Sequence, residues 1–385
     1  CAEPSHVIGS VPIAGLVEHD AVRKNPLSLS AFVVEKIVAG ESVQYKANEH
    51  YWNGAPKLDE VIVKVVPSSS ISKALEAGDY DLTLALGSAN YAEIKDLKNI
   101  DILAVPELYY SYLGFKLGKW NSETLEVNTD MENSKVGDVK LRQAMAYALN
   151  VEEVTEVFYE GLRERANAFI PPVFSSFHDA SLEGYTYDKE KAIALLDEAG
   201  YKDVDADGFR ENKNGEKLQI KLATMSGDDI AEQIAAFWLQ NWNDVGLDVV
   251  LTDGRTIEFN SFYDRVEADD PEIDIFMGAW GVGSNPSPSG IYAHNAAYNF
   301  SRYTSPTLQE TLANIDSEKS FDAEYRAQQF AAFEKEMFEQ AAVIPMMYRL
   351  ELTAVNKRVK HYTVDYADTD FDLNQVELLS EKAVK

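Results

Sequence analysis

Residues 273–300 read IDIFMGAWGVGSNPSPSGIYAHNAAYNF, a short apolar run that ends at Trp280 in glycine, serine, asparagine and proline. The run Ile273-Asp274-Ile275-Phe276-Met277 is rich in β-formers. The following GVGSNPSPSG can continue neither strand nor helix, because glycine is conformationally too free and proline lacks a donor. The stretch therefore reads as a strand running out into a loop. In open α/β sheets ligands lie beyond the carboxyl ends of strands, so an aromatic followed by exposed amides marks a recognition edge as well as an ordinary surface loop.

Working outward, strands and helices alternate. AFVVEKIVAGESVQYKA reads as two strands turning at Ala39-Gly40-Glu41, and EVIVKVV as a third. SSSISKALEAGDYDLTLAL reads as a serine-capped helix stopped by Gly78 and followed by a strand, which gives a βαβ-like unit. AVPELYYSYLGFK, residues 104–116, reads as one strand whose Tyr109, Tyr110 and Tyr112 either pack or line a cleft. LRQAMAYALNVEEVTEVFYEG carries two helices meeting near Asn150, and DKEKAIALLDEAG carries one with an acidic start and a glycine stop. Past the strand KLQIKLATM, the amphipathic helix DIAEQIAAFWLQNWNDVG places Phe237, Trp238 and Trp242 in the core. The strand LDVVLTD leads through IEFNSFYDRVE to the central stretch. SPTLQETLANI and EYRAQQFAAFEKEMFEQAA follow as helices, and VIPMMYRLELTAV as a strand pair. An α/β protein with two sheets is expected.

The chain has 385 residues, enough for more than one core. Its 64 acidic residues against 35 basic ones give a net charge of -29, which disfavours nucleic acid and anionic membrane as partners. No apolar run is long enough to span a bilayer, and CAEPSHVIGS lacks the basic start and apolar centre of a signal peptide. The single cysteine, Cys1, excludes an internal disulfide. A first-residue cysteine is where bacterial lipoproteins carry their lipid, so Cys1 is a candidate anchor.

Catalytic spacings are missing. G-x-S-x-G, the phosphate loop and H-E-x-x-H do not occur, and the six histidines are scattered singly. The chain is read as a binding protein without a cofactor. Asp203, Asp205 and Asp207, followed by Gly208, resemble the opening of a calcium loop, but Asn214 stands where that loop needs a bidentate glutamate. The segment is either a metal site or a hairpin turn.

In this order the segments resemble the extracellular solute-binding proteins of bacterial ABC importers, family 5. The likeness runs from about residue 25 onward. It is carried by KNPLSLSAFVVEKIVAGESVQYKANEHYWNGAPKLDEVIVKVV, LYYSYLGFKL, VGDVKLRQAMAYALNVEEVTEVFYEGLRERANAFIPP, YDKEKAIALLDEAGY, the D-x-D-G-F turn, IDIFMGAWGVGSNPSPSG, NFSRYTSPTLQETL and AAVIPMMYR. The resemblance implies a two-lobed periplasmic-binding-protein-like (type II) α/β fold with mixed sheets and a hinge of two crossing strands. It places residues 31–115 and 350–385 in a partial first lobe, 116–349 in the second, and 1–30 in an approach segment. It implies a monomeric receptor that captures oligopeptides and hands them to ABC permease subunits. It further implies that this receptor is extracellular on a Gram-positive surface, touching membrane only through a lipid, or periplasmic in a Gram-negative cell. Tyr110, Tyr112, Trp280, Gly281, Gly283, Ser284, Asn285 and Tyr348 are its ligand-binding candidates. The family's loop usually holds an aspartate after the tryptophan that can pair with a peptide's amino terminus. Here Gly283, Ser284, Asn285 and Ser287 offer no carboxylate, which gives weight to an N-blocked, longer or non-peptide ligand, including an oligosaccharide stacked on Trp280. Leu27-Ser28-Leu29-Ser30-Ala31 replaces a glycine-rich turn, and the family is longer at the N-terminus than this chain.

Overall fold

The computed structural model describes residues 4–84, 86–227, 230–365 and 371–385. The chain divides into two compact units, 1–105 with 351–385, and 106–350.

In the first unit, β1 (Phe32–Val38) and β2 (Ser42–Ala47) form the expected hairpin, with Gly40 at φ +73° in its turn. β3 (Glu60–Lys64) adds antiparallel to β2. The βαβ-like unit is not formed. The helix Ser68–Ala77 follows β3, but its N-cap is Pro67 with no side-chain cap, so the serines lie inside the first turn. Beyond the left-handed Gly78, the described residues of the expected strand make a bridge from Leu82 to Val355 and backbone bonds from Thr83 and Leu86 to Ala354 and Leu352. The Asp81 carboxylate pairs with Arg358, and its carbonyl accepts from the Asn356 amide. β4 (Ile100–Pro106) pairs with the later part of a long strand described below.

The second unit is built on β5 (Tyr109–Phe115), β6 (Gly118–Asn121), β7 (Glu126–Thr129), β8 (Arg163–Arg165), β9 (Gln219–Ala223), β10 (Asp248–Leu251), β11 (Ile275–Gly281) and the first part of β12 (Val343–Asn356). Its sheet order is β10-β9-β11-β5-β12, with β8 also on β12 and β6-β7 a separate hairpin. The β10-β9-β11 pairings are parallel, and β11-β5-β12 antiparallel. The sheet is therefore mixed. Residues 104–116 form two strands because Glu107 and Leu108 leave the line to pair with Arg349 and Val282. β5, placed with the first lobe from sequence, lies in the second unit because it pairs along its whole length with β11. The expected strand pair at 343–355 is one strand of 14 residues. No turn residue interrupts it, and Pro345 is absorbed at a register shift where a missing donor costs no ladder bond.

The helices follow local signals. Asn150 accepts from the Glu153 amide and starts Val151–Val157, and Asp188 and Gly200 bracket Lys189–Ala199. Phe259–Glu267, read from sequence as a connection, is a helix capped by Glu258. Trp238 and Trp242 are buried as expected, and the Trp242 indole N–H donates to the Met145 carbonyl at 3.0 Å.

Two constraints lock β5 to β11. Phe276 lies directly opposite Gly114, and Tyr112 opposite Gly278. A Cβ on Gly114 would meet the Phe276 ring at 2.4 Å, and one on Gly278 would meet the Tyr112 hydroxyl at 2.8 Å. Each ring thus lies across the glycine of the other strand. At the end of β5, Lys116 donates to Asp269 and to the carbonyls of Val266 (3.1 Å) and Phe300 (2.9 Å), while Arg302 binds the same carboxylate at 2.8 Å. The other Asp269 oxygen accepts from the Trp120 amide at 2.7 Å. Burial pulls the Lys116 ammonium down to about 8, against the pull of Asp269.

Gly278→Ala should lose about 1–3 kcal/mol in urea unfolding, because the hydroxyl end of a fully packed tyrosine must move. Asp269→Ala should lose about 3–5 kcal/mol in the same measurement, since two buried cations are left without their carboxylate.

Candidate functional site

The loop after β11 begins from a rigid base. Tyr110, Tyr112 and Gly114 share one face of β5 with Phe276, Gly278 and Trp280 of β11, because directly opposed residues of an antiparallel pair project to the same side. Trp280 stacks on Tyr112, with ring centroids 6.2 Å apart and planes 8° from parallel, and on Phe300 at 5.3 Å, with Tyr298 meeting it edge-on at 5.5 Å. The half-buried indole is thus held by neighbouring rings. Val282 extends the ladder by one bond, donating to Leu108 at 2.8 Å.

Beyond that bond the backbone is unpaired. Gly283, Ser284 and Asn285 are exposed, and their N–H groups find no hydrogen-bond acceptor among the described residues. The far end is tied again. The Asn285 side-chain oxygen accepts from the Arg326 guanidinium at 3.1 Å and from the Ser287 amide at 3.2 Å, and Arg326 stacks over Phe177 and Phe330. Ser287 and Ser289 donate to Asp316. Gly281 and Gly283 have ordinary negative φ, and a Cβ on Gly283 would meet nothing within 4 Å. The chain's own geometry does not require glycine at either place.

The expected site residues separate into two groups. Gly281, Gly283, Ser284 and Asn285 lie together on the exposed loop with Trp280 at its root. Tyr110, Tyr112 and Tyr348 do not line an open surface. Tyr110 is 1% exposed and shares a hydrogen bond of 2.8 Å with Tyr292, while Tyr112 is 2% exposed and covers Gly278. The Tyr348 hydroxyl donates to the Ala168 carbonyl at 2.6 Å and accepts from the Ala168 amide at 3.1 Å. The sequence left open whether the β5 tyrosines pack or line a cleft; Phe169 packs on Tyr110, Tyr292 and Phe333 and closes that face.

The residue missed by sequence is Glu334, buried on the helix Ala323–Gln340. Its carboxylate accepts from the amides of Phe169 (2.9 Å) and Ile170 (3.0 Å), so with Tyr348 it clamps the segment 168–170. Burial drives its pKa up to about 8, against the lowering effect of those two amides. Helical periodicity marks position 334 as inward-facing, but a glutamate there looks like one more acidic residue until the loop folds over it.

The acidic segment bonds largely to its own backbone. Asp203 accepts from the amides of Ala206 (2.7 Å) and Gly208 (3.0 Å), Asp205 from that of Asp207, and Asp207 from that of Phe209. Lys217 binds Asp207 at 2.8 Å and Asp205 at 3.6 Å. Asp203, Asp205 and Glu211 bring oxygens within 4.8 Å of one another, with Asp207 outside the group, and Glu211 already accepts from the Val204 amide. Cys1 lies outside the described residues.

Glu334 sets a pH dependence whose sign follows from its raised folded-state pKa. The folded state holds a proton that the unfolded state has lost between about pH 4.5 and 8, so stability from this group falls as pH rises through that window. Glu334→Gln should flatten this part of the profile. Urea unfolding at pH 5 and pH 8 should show a smaller loss in the variant than in the unaltered chain, by a few kcal/mol at most.

Residues 5–302 match the family described as bacterial extracellular solute-binding proteins, family 5 Middle. The chain is 35% identical over 366 residues to the oligopeptide-binding protein OppA of Lactococcus lactis subsp. lactis, covering 94% of this chain and 61% of that relative. It is 26% identical over 332 residues to the oligopeptide-binding protein AppA of Bacillus subtilis, covering 84% of this chain and 57% of the relative. Lactococcal OppA, solved with an endogenous peptide in the closed conformation, superposes with a TM-score of 0.90 at 33% identity, over 98% of this chain and 70% of that one. The fold is accordingly the two-lobed type II α/β fold of periplasmic binding proteins. The chain spans about six tenths of the length of the curated relatives it matches. Those relatives are named as oligopeptide-binding proteins, and among the described residues no helix is long and apolar enough to cross a membrane. With its segments in the family's order and well over half of its length matched, the chain belongs to the bacterial extracellular solute-binding proteins of family 5.

Proposed function

We propose that this chain is the larger part of an extracellular receptor that captures oligopeptides and presents them to the permease of an ABC importer. The observation that carries this reading is the run of free amides at Gly283, Ser284 and Asn285, fixed at one end by the stacked Trp280 and at the other by Arg326. Free backbone donors on a strand extension suit an extended peptide, whose own carbonyls are presented in the same rhythm whatever its side chains. Glycine at 281 and 283, which the fold does not need, lets a ligand backbone approach closely. Similarity to OppA and AppA supports the same ligand class.

An oligosaccharide stacked on Trp280 is not favoured, because the indole already stacks on Tyr112 and Phe300. The receptor would work as a monomer, held at the cell surface by a lipid on Cys1 or free in a periplasm.

Purified protein incubated with a peptide library and analysed by mass spectrometry should retain intact peptides. Gly283→Val, which crowds the amide run without touching the core, should weaken their retention about tenfold or more. Cleaved peptides, or no retained peptide with a thermal shift on sugar addition, would refute the proposal.

A further inference from the structure

The helix Ala323–Gln340 carries a cation where a helix is least served by one. Arg326 lies at its start, close behind the N-cap Asp322, whose carboxylate accepts from the Tyr325 amide at 2.9 Å. Positive charge near a helix N-terminus opposes the helix dipole, so the guanidinium does not stabilise the helix that carries it. Among the described residues it forms no ion pair, in a chain with 64 acidic residues. Its Nε is buried and has no hydrogen-bond partner. Neither helix nor ion pair accounts for an arginine at this position.

Its other contacts do. The guanidinium carbon lies 5.0 Å from the centre of the Phe177 ring and 5.6 Å from that of Phe330, and these rings pack on each other with centroids 4.8 Å apart. Phe330 follows Arg326 by one helical turn and is fully buried. Phe177 comes from the loop beyond residues 168–170, where the His178 ring bonds back to the Ile170 carbonyl at 2.7 Å. On this aromatic mount the guanidinium Nη2 donates to Asn285 Oδ1 at 3.1 Å, the one hydrogen bond of its side chain among the described residues. The same oxygen accepts from the Ser287 amide at 3.2 Å. Between Val282 and the buried Pro286, the bond to Arg326 is also the one described hydrogen bond that ties the loop to another element.

We infer that Arg326 is a positioning residue of the peptide site, which acts through Asn285 to hold the amides of residues 283–285 in one arrangement before a ligand arrives. This rests on the peptide reading above and adds to it the group that keeps the recognition loop ordered. Glycine has the most conformational freedom to lose, so a Gly283 segment held in place loses less on binding than a free one. The mount explains arginine in place of lysine, since a planar cation keeps its orientation against two rings and a flexible ammonium does not. The missing carboxylate has the same sense. An ion pair would turn the guanidinium toward a second group, whereas here its directed bond goes to the loop.

The test is a double-mutant cycle on the 385-residue chain. It uses Arg326→Met, which keeps an apolar stem against the rings and removes the donor, Asn285→Ala, and the two together. Titration calorimetry with one retained peptide should show each single variant binding about fivefold or more weaker, and the double variant no weaker than Arg326→Met alone. Arg326→Lys should fall between the unaltered chain and Arg326→Met, because the charge stays and the planar contact is lost. Subtilisin nicking of the ligand-free protein, read as fragment masses ending within residues 281–290, should be accelerated to the same extent in Arg326→Met, Asn285→Ala and the double variant. Asn285 is exposed, so Asn285→Ala keeps the question decidable should Arg326→Met fold poorly. Effects on affinity that multiply in the double variant, or unchanged affinity or unchanged nicking in Asn285→Ala, overturn the inference and leave the receptor reading standing. An unaltered chain that retains no peptide overturns the receptor reading, and the nicking rates then decide by themselves whether Arg326 orders the loop.

Discussion

The second unit depends on the fit between β5 and β11, where an aromatic ring on each strand lies over a glycine on the other. Phe276 over Gly114 and Tyr112 over Gly278 fix the register, because a shift by one residue would set ring against ring and turn the buried face outward. From that register follow the stack of Trp280 on Tyr112, the exit of the chain at Gly281, and the position at which free amides begin.

The two faces of this sheet divide the labour. One is closed by Tyr110, Tyr112, Phe169, Tyr292 and Phe333, a ring-packed core in which hydroxyls are bonded to one another or covered. The other, at its edge, keeps Tyr109, Arg349 and Arg163 within reach of solvent. Buried polar groups serve the first face by holding loops: Glu334 and Tyr348 bind the backbone of 168–170, and Asp269 joins Lys116 to Arg302. Such groups are costly to bury and strongly destabilising to break, which is why they sit where a loop must keep one conformation. A recognition loop with rigid supports and few internal bonds loses little entropy when a ligand's carbonyls meet its donors.

No acidic residue stands in the loop 281–290 after Trp280. The charged group tied to the loop is Arg326, through Asn285, and the nearby Asp316 is engaged by two serines.

The sequence by itself determined the α/β class, the helices with strong caps such as Asn150 and Asp188, the β1-β2 hairpin, and the strand that ends at Trp280, because each is written in local periodicity and turn chemistry. It also placed the exposed loop after Trp280, although the run ends sooner than its composition suggests, in a short helix at Ser289–Tyr292. The tertiary structure alone decided which way each face of β5 points, that Tyr110, Tyr112 and Tyr348 are core residues, and that 343–356 is one strand passing from one unit to the other. It alone found Glu334 beneath residues 168–170 and set Arg163 opposite Arg349. These are contacts between residues more than 150 positions apart, and a sequence carries the alternation of a strand but not the identity of what packs against it.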